Sequence, residues 1–504
     1  MSDRDLLRAH GIAGAIGSLV LAIGALSMGW LPPLFKVDQL PWLEALRSST
    51  SGELLGRTAV LVGGALVLQS WLLLGADVLG DRLVDVRTLW RILGLWLLPT
   101  LLVPPLFSRD AYSYFIQGRL MTNGLDPYTN GAAALSGWFR AGVDPMWAET
   151  PTPYGPLFLL IERAVVELFQ TPFWSAVGFR FVSVLGIVLA AWAVPRLAHL
   201  HGIDPAAALW LAVLNPLVLL HFALGAHNDA LMVGLMLCGL YAAMRRRVVG
   251  TIALLAAAMS IKPIAIVVVP FAALAFLPRS TGLWKRIGAY ASGIGAVLGV
   301  MLLSGVAIGV GAGWIHALTT PGSVRTWLSP PTAIGMAVGL LGQLFGDDEL
   351  DSTAVAIVRL VCILAALGIC AWLLLKPRGR SPIRGAVLAF TAVIFLGPVV
   401  QPWYLLWALP LIAVTGLRKA WHLKTVVLGT AVMVIYGLAE PTATSDAHLD
   451  LIDSLGFLMA IALVAFVVLA SPRERMLALG SQFARGLAPR DEGARSRAAM
   501  WIVR

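Results

Sequence analysis

The chain has 504 residues, with 37 Lys and Arg against 27 Asp and Glu, for a formal net charge of +10. Hydrophobic residues make up 59% and charged residues 13%, too much apolar surface for one soluble globule to hide. Apolar runs of about 18 residues or more recur from near residue 10 to near residue 470, which reads as an all-α polytopic membrane protein and, since the runs do not alternate, excludes a barrel.

Met1 to His10 carries no clear cleavage site, so residues 11–30 read as a retained first span. Further spans are predicted near 56–78, 90–107, 176–197, 205–224 and 229–244. More follow near 247–261, 264–278, 286–310, 352–375, 382–400, 403–416, 424–440 and 451–470. The basic clusters lie at span ends: Arg245-Arg246-Arg247, Arg279 with Lys285 and Arg286, Lys376 to Arg384, and Arg418-Lys419 with Lys424. That is the positive-inside pattern of cytoplasmic loops, so the positive charge reports membrane topology and no nucleic-acid partner is expected. About 14 crossings result, with both ends cytoplasmic, in a multi-pass plasma-membrane protein.

Arms 247–261 and 264–278 are short for a hydrocarbon core of about 30 Å and form a hairpin broken at Lys262-Pro263. Residues 156–175 and 331–345 read either as surface helices or as extra crossings. Residues 1–472 then form one transmembrane domain, and 473–504 a basic, flexible cytoplasmic tail. Cys238, Cys362 and Cys370 all fall in apolar runs and imply no disulfide or metal framework.

The other face receives the 108–155 segment, His227-Asn228-Asp229, Lys262, loop 311–331, Asp347-Asp348-Glu349, Gln401-Pro402-Trp403-Tyr404 and Glu440 to Asp453. In the first of these, Tyr112, Phe115, Ile116 and Leu120 form one stripe of an amphipathic external helix expected to lie on the membrane surface. Asp110 stands at its start, where the helix dipole favours a carboxylate. It reads either as a cap or as a catalytic group. Asn123 to Tyr128 is turn chemistry, which makes Asp126 structural. Thr150 to Pro156 is a stiff re-entry segment in which Tyr154 is available to line a sugar site.

Lys262, in so apolar a setting, must snorkel or find an anion, and a phosphate at the outer-leaflet level would serve. Arg325 is a similar external cation beside Trp327. His227-Asn228-Asp229 caps the next span. Gln401-Pro402-Trp403-Tyr404 is either an interfacial aromatic belt or a platform for a sugar. With no HExxH or Cys–His pattern, neither a metal nor a cofactor is expected.

Asp110-Ala111-Tyr112-Ser113-Tyr114, Gln117-Gly118-Arg119, Gly124 to Tyr128 and Thr152 to Leu157 together resemble the GT-C superfamily of polytopic glycosyltransferases. Leu214-Asn215-Pro216, His227-Asn228-Asp229 and Ile261-Lys262-Pro263 extend the resemblance, which is greatest to the actinobacterial polyprenol-phosphomannose-dependent alpha-1,6-mannosyltransferases of the mannopyranosyltransferase B type. It covers most of residues 90 to 410. The single acid of Ser108 to Tyr114 departs from the paired acids of other GT-C branches and leaves a metal role in doubt.

The resemblance implies inverting transfer of mannose, on the outer face, from a polyprenyl-phosphate-mannose donor to a lipid-anchored mannan. Asp110 would be the base, and Lys262, Arg325 and His227 would hold the donor phosphate. Tyr112, Tyr154, Asn228, Asp229, Gln401, Trp403 and Tyr404 would contact sugar. The rival readings are another polyprenyl-phosphate sugar (glucose or arabinofuranose) or, from a different class, a transporter or flippase. The one-sided distribution of polar residues and the lack of an internal repeat argue against a transporter.

Overall fold

The structure, a computed structural model, describes residues 3–80, 84–318, 320–323, 325–344, 350–377, 380–417 and 419–439, with Ile461, Ala462, Ala465 and Leu487 beyond them. Among the described residues there are helices and loops and no strand. Asp347-Asp348-Glu349, Glu440 to Asp453, most of the 451–470 span and, apart from Leu487, the tail 473–504 lie outside the described residues.

In chain order the principal helices are α1 (Asp3–Met28), α2 (Thr50–Val78), α3 (Val86–Leu97), α4 (Asp110–Thr122) and α5 (Pro156–Phe169). They continue as α6 (Pro172–Leu200), α7 (Pro205–Ala212), α8 (Asp229–Met244), α9 (Val248–Ile261) and α10 (Leu283–Ala307). The last five are α11 (Pro330–Leu344), α12 (Leu350–Leu375), α13 (Pro382–Leu396), α14 (Leu405–Thr415) and α15 (Ala420–Ala439). Polar side chains set several starts: Ser49, Asp85 and Asp204 accept backbone N–H groups of α2, α3 and α7.

Among the described residues six helices are each long and apolar enough to cross a membrane: α1, α2, α6, α10, α12 and α15. The chain is thus a polytopic all-α membrane protein. Against the expectation of about 14 crossings, the remaining apolar stretches are divided into shorter pieces. Span 205–224 breaks at Asn215-Pro216, where Pro cannot continue the helix and Asn215 accepts the Leu217 N–H at 3.0 Å. A π-helical segment, Val218–Leu224, then meets α8 at a bend of 111°.

The centre is built by α2, α4 and α6 to α9. Trp71 of α2 and Trp210 of α7 stack at 5.0 Å, and each indole N–H donates to the other's backbone carbonyl. Helices α6 and α8 touch backbone to backbone: a Cβ on Gly186 would lie 2.2 Å from the Ala230 carbonyl carbon. By contrast α10 and α12 lie at the edge, with Leu303, Leu364 and Leu367 exposed as lipid-facing side chains would be.

One expectation is corrected. Helix α4 does not lie on a membrane surface, because Ser113 and Gln117 on its polar side are buried along with Tyr112, Phe115 and Ile116 of its apolar stripe. Gln117 Oε1 accepts the Thr152 hydroxyl at 2.9 Å, so what looked like a wet face at Gln117 is an internal contact.

Candidate active site

Two loops run side by side before α4 and α8, joined by the Leu106 N–H to the Leu224 carbonyl at 3.3 Å. Each contains a non-glycine residue in the left-handed region, Phe107 (φ 66°) and Ala226 (φ 53°), three residues ahead of Asp110 and Asp229. Such conformations cost about 1–3 kcal/mol and persist only where surrounding structure enforces them. Here the enforcement comes from α6. The buried Arg180 guanidinium donates to the carbonyls of Leu101, Val103, Ala223 and Leu224, clamping both loops. One turn on, the Ser183 hydroxyl donates to the His227 carbonyl at 2.8 Å.

Asp110 is the first residue of α4 and its carboxylate is 22% exposed. It opens onto a cavity of about 170 Å³ lined also by Asp144, Trp147, His221, Gln401 and Trp403. His227 Nδ1 comes within 3.3 Å of the carboxylate but outside hydrogen-bonding geometry. The His227 ring stacks on Trp403 at 3.8 Å, and His221 lies 5.5 Å from the same indole. Both ring nitrogens of His221 and of His227, both polar atoms of the Asn228 amide and the Trp403 indole nitrogen are buried without a hydrogen bond in the protein. Folded proteins rarely leave so many buried polar atoms unpaired in one place, except where a ligand completes them.

Asp229, the first residue of α8, is only 1% exposed. Lys262 donates to both its carboxylate oxygens at 2.8 Å, and the Trp407 indole N–H donates to one at 2.6 Å. Tyr404 stacks on Trp407 at 3.9 Å, and the Lys262 ammonium lies 5.3 Å from the Tyr404 ring.

Tyr154 completes this wall. Its neighbour Gly155 donates its N–H to the Ile261 carbonyl at 3.1 Å, and a Cβ there would sit 2.5 Å from the Ser260 oxygen. That close approach brings the re-entry segment against the hairpin tip, with Lys262 5.9 Å from the Tyr154 ring. Tyr154 meets Tyr114 edge-on at 5.3 Å, and the Tyr114 hydroxyl accepts the Asn228 N–H at 3.5 Å. Burial, reinforced by both Asp110 and Asp229, holds the two phenols well above the usual tyrosine range and therefore protonated. Asp110 and Lys262 thus border one aromatic partition, Tyr114–Tyr154.

The structure brings together Asp110, Gln401 and Trp403 at the cavity, with His227 against Asp110 and Trp403, Asn228 against Tyr114, and Asp229, Lys262, Tyr154 and Tyr404 beside them. Four expectations change. Lys262 does not snorkel: Asp229 accepts two of its three ammonium hydrogens, its side chain stays 15% exposed, and the Asp229 carboxylate is correspondingly committed away from sugar. The buried Tyr112 hydroxyl is spent on the Trp30 carbonyl at 2.7 Å. Arg325, 45% exposed, pairs with Asp351 and does not line the cavity.

Sequence reading missed Arg109, Asp144, Arg180, His221 and Trp407. Arg109 donates to the Gly142 and Val143 carbonyls, lies over the Trp30 ring and comes within 3.6 Å of Asp144. Arg180 and His221 had a visible signal, since each is an ionisable residue inside a predicted span. Among the described residues no group of three or more His, Cys, Asp or Glu lies close enough to hold a metal ion.

Residues 11–278 match the family described as alpha-(1->6)-mannopyranosyltransferase, N-terminal domain, and residues 331–471 match the MptB C-terminal domain. The chain belongs to the alpha-(1->6)-mannopyranosyltransferase family. A probable alpha-(1->6)-mannopyranosyltransferase of Mycolicibacterium smegmatis is 34% identical, over 88% of this chain and 85% of its own. Alpha-(1->6)-mannopyranosyltransferase A of Mycobacterium tuberculosis is 33% identical, over 84% and 83%. Alpha-(1->6)-mannopyranosyltransferase B of Corynebacterium glutamicum is 29% identical, over 86% and 78%. No solved structure matches the chain. Both acids, the clamping arginine and the hairpin-tip lysine fall within the matched N-terminal region of this mannopyranosyltransferase family member.

Proposed function

We propose that this protein transfers mannose, with inversion, from a polyprenyl-phosphate-mannose donor to a lipid-anchored mannan at the outer face of the plasma membrane. The product is an alpha-1,6 linkage in a lipomannan-type backbone. Family membership supports mannosyl transfer with this linkage. The observation that carries the mechanism is the Asp110 carboxylate, partly open and, among the described residues, unpaired by any lysine or arginine, at a cavity edge rich in unpartnered polar atoms.

In the reaction an acceptor hydroxyl oxygen attacks the anomeric carbon of mannose. Its proton passes to Asp110, and the bond from that carbon to the donor phosphate breaks, releasing the polyprenyl phosphate. The leaving phosphate gains charge in the transition state, so donors beside it lower the barrier more than they tighten ground-state binding. His227, within 3.3 Å of Asp110, and the partly exposed Lys262 are the groups for this role. Asp229 keeps the Lys262 ammonium aimed, and Trp403 and Gln401 offer a stacking face and an amide to the acceptor sugar.

The test is incubation of purified protein with polyprenyl-phospho-mannose and a short alpha-1,6-mannoside, with linkage analysis. A mannoside extended by one alpha-1,6 unit is expected. Extension only with a polyprenyl-phosphate glucose or arabinofuranose would overturn the donor assignment, and full elongation by Asp110→Asn would overturn the base.

A further inference from the structure

We propose that a second site, at the far end of the helix bundle from the candidate active site, binds the phosphate headgroup of an anionic phospholipid. It is a cavity of about 510 Å³ between the end of the hairpin arm at Leu277-Pro278, the start of α10, the end of α12 and the start of α13. Among the described residues four cations line it: Arg279, Arg286, Lys376 and Arg380.

Among the described residues no carboxylate lines this cavity. Between Asp229 and Asp347, and again between Asp351 and Glu440, there is no Asp or Glu at all. Positive charge at span ends is ordinary. Four cations converging on one concave site, with no acid in any contributing segment, are not explained by topology alone. The walls are also fixed. The Arg380 guanidinium lies over the Trp372 ring at 4.9 Å and donates to the Lys376 carbonyl. Four residues after Arg286, the Tyr290 hydroxyl donates to the Leu374 carbonyl at 3.0 Å, tying α10 to α12. Arg286 Nε is buried with no hydrogen bond in the protein. The starts of α10 and α13 add the positive ends of two helices.

The apolar part of the lining favours a lipid over a free anion. Leu274, Leu277 and Leu375 form it. It continues onto α10 and α12, the two most lipid-exposed helices, where Trp284 is 81% exposed. An anionic head held by Arg286, Lys376 and Arg380 would leave its acyl chains lying along these helices, a combination typical of basic pockets between membrane helices.

The site is separate from the candidate active site. Helix α10 has 25 residues, about 37 Å of rise. Its other end leads to Gly313, against Tyr128, whose hydroxyl donates to the Tyr154 carbonyl. The opposite end of α13 leads to Gln401. A lipid bound here would therefore fix the edge helices that reach the sugar-transfer region.

The full-length protein, purified in a neutral detergent, is titrated with phosphatidylglycerol, phosphatidylcholine or inorganic phosphate. Binding is read by native mass spectrometry and by the shift in unfolding midpoint. Phosphatidylglycerol is expected to bind at least tenfold more tightly than phosphatidylcholine. Removing each cation should weaken it roughly fivefold, so Arg286→Gln with Arg380→Gln should lose most of the preference. The charge-keeping pair Arg286→Lys with Arg380→Lys, and Arg91→Gln at another helix, should retain it. Equal binding of both phospholipids by the wild type, or undiminished preference in the double glutamine variant, overturns the site. Displacement of phosphatidylglycerol by millimolar phosphate overturns the lipid assignment and leaves a free-anion site. If the glutamine pair does not fold, the wild-type titrations and the lysine pair decide between the same outcomes.

Discussion

Asp110 and Asp229 each begin a helix, each follow a left-handed residue by three positions, and each sit in a loop clamped by Arg180. Their surroundings then diverge. Asp229 is enclosed and accepts three hydrogen bonds, from Lys262 and Trp407. Asp110 stays partly open, with His227 near but not bonded. A carboxylate with three of its about four acceptor sites engaged positions its partners, whereas one left unengaged beside a cavity can accept a proton. The difference separates an acid that shapes the site from one available to act in it.

The sharpest test is Asp110→Asn. It should cut mannosyl transfer by about 10²–10⁴-fold, the usual contribution of a general base, while the unfolding midpoint stays at the wild-type value. A matching fall in stability would mean that Asp110 is structural, like Asp229. The enclosed acid should behave in the opposite manner. Asp229→Asn or Lys262→Met alone strands a buried charge and should destabilise the protein by about 3–5 kcal/mol, measured by denaturation in detergent. Combining the two should restore most of the stability without restoring activity. A double variant no more stable than the single ones would remove the pairing argument.

Arg180→Leu bears on both acids at once. It leaves four carbonyls without their charged donor, and hydrogen bonds to charged groups contribute about 1.5–3 kcal/mol each. Lower stability and lost turnover should appear together. Normal turnover at reduced stability would show that the clamp does not position the acids. The smallest effect is expected at Arg325→Ala, whose exposed pair with Asp351 contributes about 0–1 kcal/mol. Turnover should stay within about threefold of wild type, and a larger loss would place Arg325 back at the donor phosphate.

The sequence by itself determined the membrane character, the helical class and the neighbourhoods that matter, because apolar runs, span-end cations and ionisable residues in apolar context are local signals. Asp110, His227, Lys262 and Trp403 were legible for that reason. What only the tertiary structure decided is which of them meet. Local pattern gives Asp110 and Asp229 the same description, and nothing near Lys262 in the chain announces a partner 33 positions away. The same limit turned the apolar stripe of α4 into a surface helix on paper, when Thr152 and the Tyr114–Tyr154 contact bury its polar side. Burial and pairing are relations between distant segments, so charge state, accessibility and role followed from packing, whereas the membrane itself was already written in the composition.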